Sequence, residues 1–265
     1  MEMRFQVGGN PRFRLEFGGE MPQPVPPGPV IGWDETKINV MTLDENEEPT
    51  DTIVHFMTFD EVCDYMMSDN QKYWVHQGNQ MNPIPSLSRW QFDGYDQLVF
   101  IDLYGQTEIP DSCFSGYYGT SIRRITGLDG VVTIGETAFY CQSRMEPFNF
   151  PSSLRNIGSS AFELCELFTD IVIPEGVTIL PSNVFYGCSG LISITLPSTL
   201  TEIEGDAFWR CRALESITIP GSVTAIGDYA FLECDSLTTI TIDKPAWSLT
   251  GAPWGAEQVN VIWTG

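Results

Sequence analysis

Cysteine is the residue type with the most regular spacing in this 265-residue chain. Five of the seven cysteines recur at intervals of 24, 23, 23 and 23 residues, and they are Cys141, Cys165, Cys188, Cys211 and Cys234. No Cys-x-x-Cys pair and no histidine stands beside any of them, which is unlike the ligand spacing of a zinc site. The column therefore predicts small buried thiols that stay free and pack together or hydrogen-bond weakly to the adjacent turn.

The other residues that could take part in catalysis or metal binding lie in the N-terminal half. Two histidines, His55 and His76, leave little for histidine catalysis or a multi-histidine metal site. A nucleophile and base formed by Cys63 with a histidine matches no family signature. Asp93 and Asp96 could form a glycosidase-like carboxylate pair, but their spacing fits an ordinary polar turn equally well. An enzyme acting through this region would require His76 and Asp93 to share a cleft. We predict that the chain is not an enzyme and has no catalytic or cofactor-binding residue.

An acidic loop is predicted over residues 44–51. It lacks the central glycine and the spaced oxygens of an EF-hand calcium loop, so a solvated loop is favoured and no metal ligand is predicted.

Net charge restricts the partners of the chain. Thirteen Lys and Arg against 35 Asp and Glu give a formal charge of −22, which disfavours nucleic acid and anionic membrane surfaces. No apolar run approaches the ~20 residues that span a bilayer, and we expect no membrane insertion. Residues 1–9 contain no apolar h-region, so we expect no Sec signal peptide.

A 23-residue repeat explains the cysteine spacing. One phenylalanine marks each unit, at intervals of 25, 23, 23, 23 and 23 residues. The six are Phe114, Phe139, Phe162, Phe185, Phe208 and Phe231. In each unit a Leu-x-x-Ile-x-Ile segment predicts a strand with one buried face, and a proline ends this strand. The Ala-Phe pair then predicts the start of a short helical or 3₁₀ segment, with the phenylalanine ring inside. Stacked units bury a continuous core and pair their strands in parallel.

The full pattern, Leu-x-x-Ile-x-Ile-Pro-x-x-Val-x-x-Ile-Gly-x-x-Ala-Phe-x-x-Cys, resembles the BspA-like subclass of leucine-rich repeats over residues 106–245. The resemblance implies a repeat solenoid with a parallel β-sheet on its concave side. One departure is that Cys141 comes one residue early, with Gln142 in the expected cysteine place.

Residues 246–265 are off the period and predict a C-terminal cap with one last strand at residues 259–263. The phrase Gly-Ala-Pro-Trp-Gly-Ala at residues 251–256 resembles the cap that follows such repeats in some bacterial and bacteriophage proteins.

Three further segments precede the repeats. Residues 1–20 predict a locally basic β-hairpin anchor, and residues 21–31 a proline-rich spacer with polyproline II character. The candidate anchor residues are Arg4, Phe5, Arg12, Phe13, Arg14 and Phe17. Residues 32–105 predict a mixed α/β cap with strands at 33–43 and 98–103 and a capped helix at 58–67.

The solvent side of the repeat strands is the candidate binding face. Alternation places two positions of each strand outside, and serine and threonine recur there in three consecutive units. The candidate residues are Asp170, Val172, Ser193, Thr195, Ser216, Thr218, Thr239 and Thr241. An ordinary β-favouring polar face is the alternative explanation.

Together these features predict a non-catalytic binding or display protein. A basic hairpin, a spacer and an acidic repeat head favour a bacteriophage virion protein, a capsid or tail decoration whose hairpin binds a virion protein. Its repeat face would bind a protein or a cell-surface glycan. The alternative is an intracellular or secreted leucine-rich repeat scaffold or adhesin that binds a host protein, located in the cytoplasm or at the cell surface by a non-Sec route. The sequence indicates neither the ligand nor the oligomeric state.

Overall fold

Each repeat forms one turn of a parallel β-solenoid, because a unit of 23 residues can bury its apolar face only against its neighbours. The solenoid has about seven turns. The computed structural model describes residues 38–44, 49–56, 61–62, 72–77, 87, 98–103, 105–116, 122–246, 248–256 and 258–265. All of them belong to one unit, Asp34–Gly265.

One side of the solenoid carries the longer strands, and we call it the long-strand ladder. Its strands are β4 Leu98–Asp102, β6 Arg124–Thr126, β9 Asp170–Val172, β11 Ser193–Thr195, β13 Ser216–Ile219, β15 Thr239–Ile242 and β16 Asn260–Trp263. All the pairs formed within it are parallel, namely β4 with β6, β9 with β11, β13 with β15, and β15 with β16. One turn, at residues 147–149, adds no strand, because Pro147 has no N–H to donate to a neighbour.

A second side carries two-residue strands and forms the short-strand ladder. Its strands are β5 Glu108–Ile109, β7 Thr133–Ile134, β8 Asn156–Ile157, β10 Ile179–Leu180, β12 Glu202–Ile203 and β14 Ala225–Ile226. They pair in parallel in two runs, β5-β7-β8 and β10-β12-β14. The second residue of each strand packs inward, and the position is isoleucine or leucine in every unit.

The third side is a turn rather than the short helix that the sequence predicts, so that prediction is wrong. From Phe139 on, the residues two before and two after each core phenylalanine have positive φ, as Thr137 (53°) and Cys141 (62°) do around Phe139. The reason is hydrogen bonding between turns of the solenoid. Phe139 N–H donates to Ala161 at 2.9 Å, and Cys141 N–H to Glu163 at 2.7 Å. A helix would direct these N–H groups along its own axis.

The core is a stack of the repeat phenylalanines, as predicted. Neighbouring rings lie 5.4–5.8 Å apart with interplanar angles of 2–16°, from Phe114 through to Phe231. All six rings are fully buried. Trp254 follows the last ring, edge-on at 6.4 Å.

The N-terminal part of the described chain extends the long-strand ladder. Strands β1 Ile38–Leu43, β2 Pro49–Phe56 and β3 Lys72–Gln77 join β4 and β6 in a five-stranded sheet of order β2-β1-β3-β4-β6. Strand β1 is antiparallel to both β2 and β3, whereas β3 is parallel to β4.

Two sequence predictions in this region need correction. The loop predicted over residues 44–51 is too long, because β2 already begins at Pro49. Strand β3 was not predicted at all. Within the predicted helix at 58–67 the structure describes residues 61–62, which are helical. The predicted hairpin at 1–20, its anchor residues and the spacer at 21–31 lie outside the described residues.

The C-terminal segment continues the solenoid. Strand β16, Asn260–Trp263, pairs in parallel with β15 over four residues and corresponds to the last strand predicted at 259–263. Leu249, Trp254 and Ala256 are buried against the last turn, so this segment covers apolar surface that the repeat would otherwise expose.

Candidate ligand-binding face

The outward residues of the long-strand ladder form a regular polar surface. In β13 the alternation is complete: Ser216 and Thr218 are exposed, whereas Ile217 and Ile219 are buried in the core. The inward isoleucines fix the strand orientation, because a one-residue slip would expose them.

All eight residues predicted for the binding face lie on this surface, in two parallel columns. Strand register pairs Asp170 with Ser193 and Val172 with Thr195, and likewise Ser216 with Thr239 and Thr218 with Thr241. The residues of β9, β11 and β13 are exposed, whereas the two threonines of β15 are half-buried. Their placement agrees with the predicted face, and their role in binding stays a prediction.

The structure adds two residues that the sequence analysis missed. Asn260 is in register with Thr239, and Ile262 with Thr241, so both columns continue onto β16. The alternation Asn-Val-Ile-Trp at residues 260–263 is the signal that was available. It was not connected to the columns because this strand lies off the 23-residue period.

We define the hydroxyl face as Ser193, Thr195, Ser216, Thr218, Thr239 and Thr241. Neighbouring strands lie about 4.8 Å apart, and alternate residues along a strand about 6.6 Å apart. The two columns from β9 to β16 therefore extend roughly 19 Å along the stack of turns. Every hydroxyl offers one donor and two acceptor lone pairs, so the surface suits a ligand that is rich in both donors and acceptors.

One hydrogen bond along the columns is formed between side chains of adjacent turns. Ser193 Oγ donates to Asp170 Oδ1 at 2.6 Å, on a surface open to solvent. Asp170 thus places a carboxylate at the N-terminal end of the hydroxyl face.

Apolar side chains lie at the same end. Val172 is 63% exposed, Leu167 47% and Ile192 43%. Ile192 immediately precedes β11, and Leu167 lies in the turn before β9. A mixture of exposed apolar groups with hydrogen-bonding groups is common in protein-binding surfaces.

An ion-pair cluster lies one turn beyond Asp170, where the ladder is interrupted. Glu146 accepts hydrogen bonds from Arg124 at 2.8 and 3.0 Å and from Arg123 at 3.4 Å. The Arg124 guanidinium also lies over the Phe100 ring, 5.4 Å from its centroid. Through Arg124 the cluster belongs to the last strand of the N-terminal sheet, β6.

From Cys165 on, the cysteine column lies inside the solenoid. Each of these four thiols donates to the backbone carbonyl of the phenylalanine one turn earlier, as Cys188 does to Phe162 at 3.1 Å. Burial raises the pKa of the Cys234 thiol to about 12 and that of Cys188 still further, so both stay protonated and donate. The five thiols of the column form no disulfide.

Gln142 occupies the cysteine place of its unit and performs the same role. Its Nε2 donates to Phe114 at 2.7 Å, and the side chain is buried. The hydrogen bond to the phenylalanine carbonyl is therefore the feature that the repeats share at this position, whereas the thiol itself is replaceable.

Neither a metal cluster nor a membrane span occurs in the part of the chain that was described. Among those residues, no three His, Cys, Asp or Glu side chains lie close enough to hold an ion. Within the same residues, no helix has the length and apolar character needed to cross a bilayer.

The repeat, the solenoid and the phenylalanine core define a class of repeat protein. The family model described as "BspA type Leucine rich repeat region" matches six copies in this chain, over residues 80–188 and 156–250. The chain belongs to the BspA-type leucine-rich repeat family. The fold class that the sequence resemblance implied, a leucine-rich repeat solenoid with parallel strands, is confirmed.

Solved structures of bacterial leucine-rich repeat proteins align with the chain. A leucine-rich cell surface protein from Faecalibacterium prausnitzii is 27% identical over 65% of this chain and 51% of its own, with a TM-score of 0.44. A leucine-rich repeat protein from Bacteroides ovatus is 23% identical over 74% of this chain and 60% of its own, with a TM-score of 0.49. A leucine-rich repeat protein from T. pallidum is 21% identical over 71% of this chain and 83% of its own, with a TM-score of 0.48.

The chain thus spans 51% and 60% of the length of the first two structures. No curated protein matches it. Proteins built from such repeats are in general non-catalytic scaffolds that bind proteins or surface ligands.

Proposed function

We propose that this chain is a non-catalytic binding protein of the adhesin type, which holds a surface-displayed ligand on the outer side of its long-strand ladder. The hydroxyl face and the adjoining residues Asp170, Val172 and Ile192 form the contact surface. The partner is a protein or a glycan on a cell surface.

The observation that carries the proposal is the regularity of the outward columns. The inward positions of each strand must be apolar for the solenoid to form, but nothing in the folding of a turn requires exposed hydroxyls in consecutive units. Thr195 and Thr218 contribute nothing to the core, since both are exposed. Stacking of adjacent turns also places their strands, β11 and β13, next to each other, so a ligand need not order the surface when it binds.

The virion interpretation receives no support from the family or the aligned structures. It rests on residues 1–31, which lie outside the described part of the chain, and on the resemblance of residues 251–256 to a cap of some bacterial and bacteriophage proteins. The adhesin or scaffold alternative agrees better with the family, and we therefore place it first. Display at a cell surface is part of this proposal.

A cell-binding assay with two paired variants tests the contact surface. The fluorescently labelled full-length chain is added to bacterial and epithelial cells, and saturable binding is measured. Thr195→Arg with Thr218→Arg places two long charged side chains on the hydroxyl face. We expect at least a tenfold loss of apparent affinity, because both residues point into the proposed contact.

The matched control uses two residues that directly precede strands β12 and β14 of the short-strand ladder. Thr201→Arg with Thr224→Arg makes the same chemical change at two exposed threonines on the other side of the solenoid. We expect wild-type binding from this pair. Equal loss in both pairs, or none in either, would refute the assignment of the face. Treating the cells with protease or with glycosidase then separates a protein ligand from a glycan.

A further inference from the structure

The outward columns of the long-strand ladder carry a single formal charge between β9 and β16. Their ten residues are Asp170, Val172, Ser193, Thr195, Ser216, Thr218, Thr239, Thr241, Asn260 and Ile262. Asp170 is the one carboxylate among them, and it is exposed. A ligand that lies along these columns therefore meets one negative charge, at the end that begins with β9.

No cation of the described part of the chain forms an ion pair with Asp170. The arginines of the ion-pair cluster, Arg123 and Arg124, are paired with Glu146. The other ion pairs of the described residues are those of Arg210 and Arg212 with acidic residues one turn later. Ser193 Oγ donates to Asp170 Oδ1 at 2.6 Å and so orients the carboxylate. The remaining lone pairs of both oxygens can accept hydrogen bonds from a partner molecule.

Exposed apolar side chains lie on both sides of this carboxylate. Val172 follows it on the same face of β9, about 6.6 Å further along the strand, and is 63% exposed. Ile192 is 43% exposed and directly precedes Ser193, the register partner of Asp170. Covering such side chains with apolar groups of a partner is favourable. A ligand that matches this end of the face must therefore supply apolar surface and a positive charge within a few ångströms of each other.

The side chains of arginine and lysine combine these two properties. Each has a stem of methylene groups that packs on apolar surface and a cationic tip that stays near polar groups. The extended stem is roughly 5–6 Å long, which is close to the separation of Val172 and Asp170 along β9. With the stem on Val172, the tip reaches Asp170, and a guanidinium can donate two parallel hydrogen bonds to one carboxylate.

We propose that the ligand of the hydroxyl face is a protein that presents an arginine or lysine side chain to Asp170, with the aliphatic stem packed on Val172 and Ile192. This inference rests on the proposed function, because it names the class of partner for the same face. A neutral glycan has no cation for Asp170, and an amino sugar has no aliphatic stem for Val172. Both therefore match the face less well than a protein.

A double-mutant cycle between Asp170 and the basic groups of the partner tests the proposal. The labelled full-length wild type and Asp170→Asn are bound to the cells that bind the wild type. The cells are untreated, treated with phenylglyoxal to block arginine, or treated with sulfo-N-hydroxysuccinimide acetate to block lysine. On untreated cells, Asp170→Asn should weaken binding about tenfold or more, because a charge-assisted hydrogen bond is lost.

The expected signature of the cycle is non-additivity. One of the two reagents should weaken binding of the wild type by a similar factor, but should weaken binding of Asp170→Asn much less, because the same contact is already lost. Equal weakening of both chains by each reagent, no effect of either reagent on the wild type, or unchanged affinity of Asp170→Asn overturns the proposal.

Two further variants and two enzymes identify the contact and its source. Val172→Ser should weaken binding about threefold to tenfold. The matched control Asp235→Asn makes the same chemical change at an exposed aspartate that pairs with Arg212, and it should bind as the wild type does. Protease treatment of the cells should abolish binding, whereas glycosidase treatment should not. Loss of binding after glycosidase, or equal losses in Asp170→Asn and Asp235→Asn, overturns the proposal.

The pair Thr195→Arg with Thr218→Arg separates failure of this inference from failure of the proposed function. If that pair weakens binding and Asp170→Asn does not, the hydroxyl face is the contact surface and the partner class is wrong. If neither changes binding, or if the wild type binds no cell, the proposed function fails and this inference fails with it.

Discussion

Phe208 is the best position at which to test the energetics of the phenylalanine stack. Its ring is fully buried. It stacks on Phe185 at 5.8 Å and 16°, and on Phe231 at 5.5 Å and 2°. We expect Phe208→Ala to lower the free energy of unfolding by about 3–5 kcal/mol, the usual cost of removing a buried phenylalanine ring. The two ring contacts account for about 1–3 kcal/mol of that loss, at roughly 0.5–1.5 kcal/mol each.

A matched variant separates the cavity from the stacking. Phe208→Leu fills much of the volume but has no ring, so it should lose about 1–3 kcal/mol, in the range of the two stacking contacts. The difference between alanine and leucine then measures the cavity.

Urea unfolding followed by circular dichroism gives both values, with the m-value as a check on cooperativity. Repeat proteins can unfold in parts, so amide exchange measured by mass spectrometry should accompany it. Exchange should rise first in the turns on either side of Phe208. A loss below 1 kcal/mol for Phe208→Ala, or equal losses for alanine and leucine, would refute the reasoning about the stack.

Three further outcomes follow from the described contacts. Gly227→Ala should lower the free energy of unfolding in urea by roughly 1–3 kcal/mol, because its Cβ would clash with the backbone nitrogen of Gly205. Gly205→Ala should change that free energy by less than about 1 kcal/mol. Similar losses in the two variants would contradict this. The Cys234 thiol should react with iodoacetamide at pH 8 about a thousandfold more slowly than an unfolded thiol, since burial raises its pKa from 9.0 to about 12. Fast labelling of Cys234 in the native chain would contradict its burial. The pKa of Glu175 is lowered, chiefly by the Ser198 N–H, so its contribution is present at neutral pH and is lost as the pH falls through that lowered value. Glu175→Gln should therefore be less stable than wild type at pH 7 and equally stable well below pH 4.5; a difference that persists in acid would contradict the linkage.

The repeat core was predictable because every unit has apolar residues at the same positions. Phe162 and Phe185 are core for the same reason, an apolar ring at a fixed place in a unit too small to bury it alone. The strands and their outward serines and threonines follow from alternation. The register follows from the period itself, because equivalent residues of successive units pair, as Ile194 does with Ile171.

The turn conformation was not predictable from the unit alone. Ala-Phe-x-x-Cys has the spacing of a helical turn, but hydrogen bonds to the next unit determine the backbone, and these are long-range contacts. Left-handed φ at non-glycine residues such as Arg210, at 62°, gives no sequence signal.

The N-terminal sheet was predicted least well. Strand β2 begins with proline and includes an aspartate, both of which are rare within strands. It forms because β1 supplies its antiparallel partner. No local pattern reveals a pairing that depends on a strand distant in the fold.

Photocrosslinking tests the central claim, that the hydroxyl face is the contact surface, most directly. The photoreactive residue p-benzoylphenylalanine is placed at position 195 in one full-length chain and at position 201, directly before strand β12 of the short-strand ladder, in another. Each chain is bound to cells and irradiated, and the covalent products are separated by size. We expect a discrete crosslinked partner from position 195 and none from position 201. Crosslinking from position 201 and not from position 195 would contradict it.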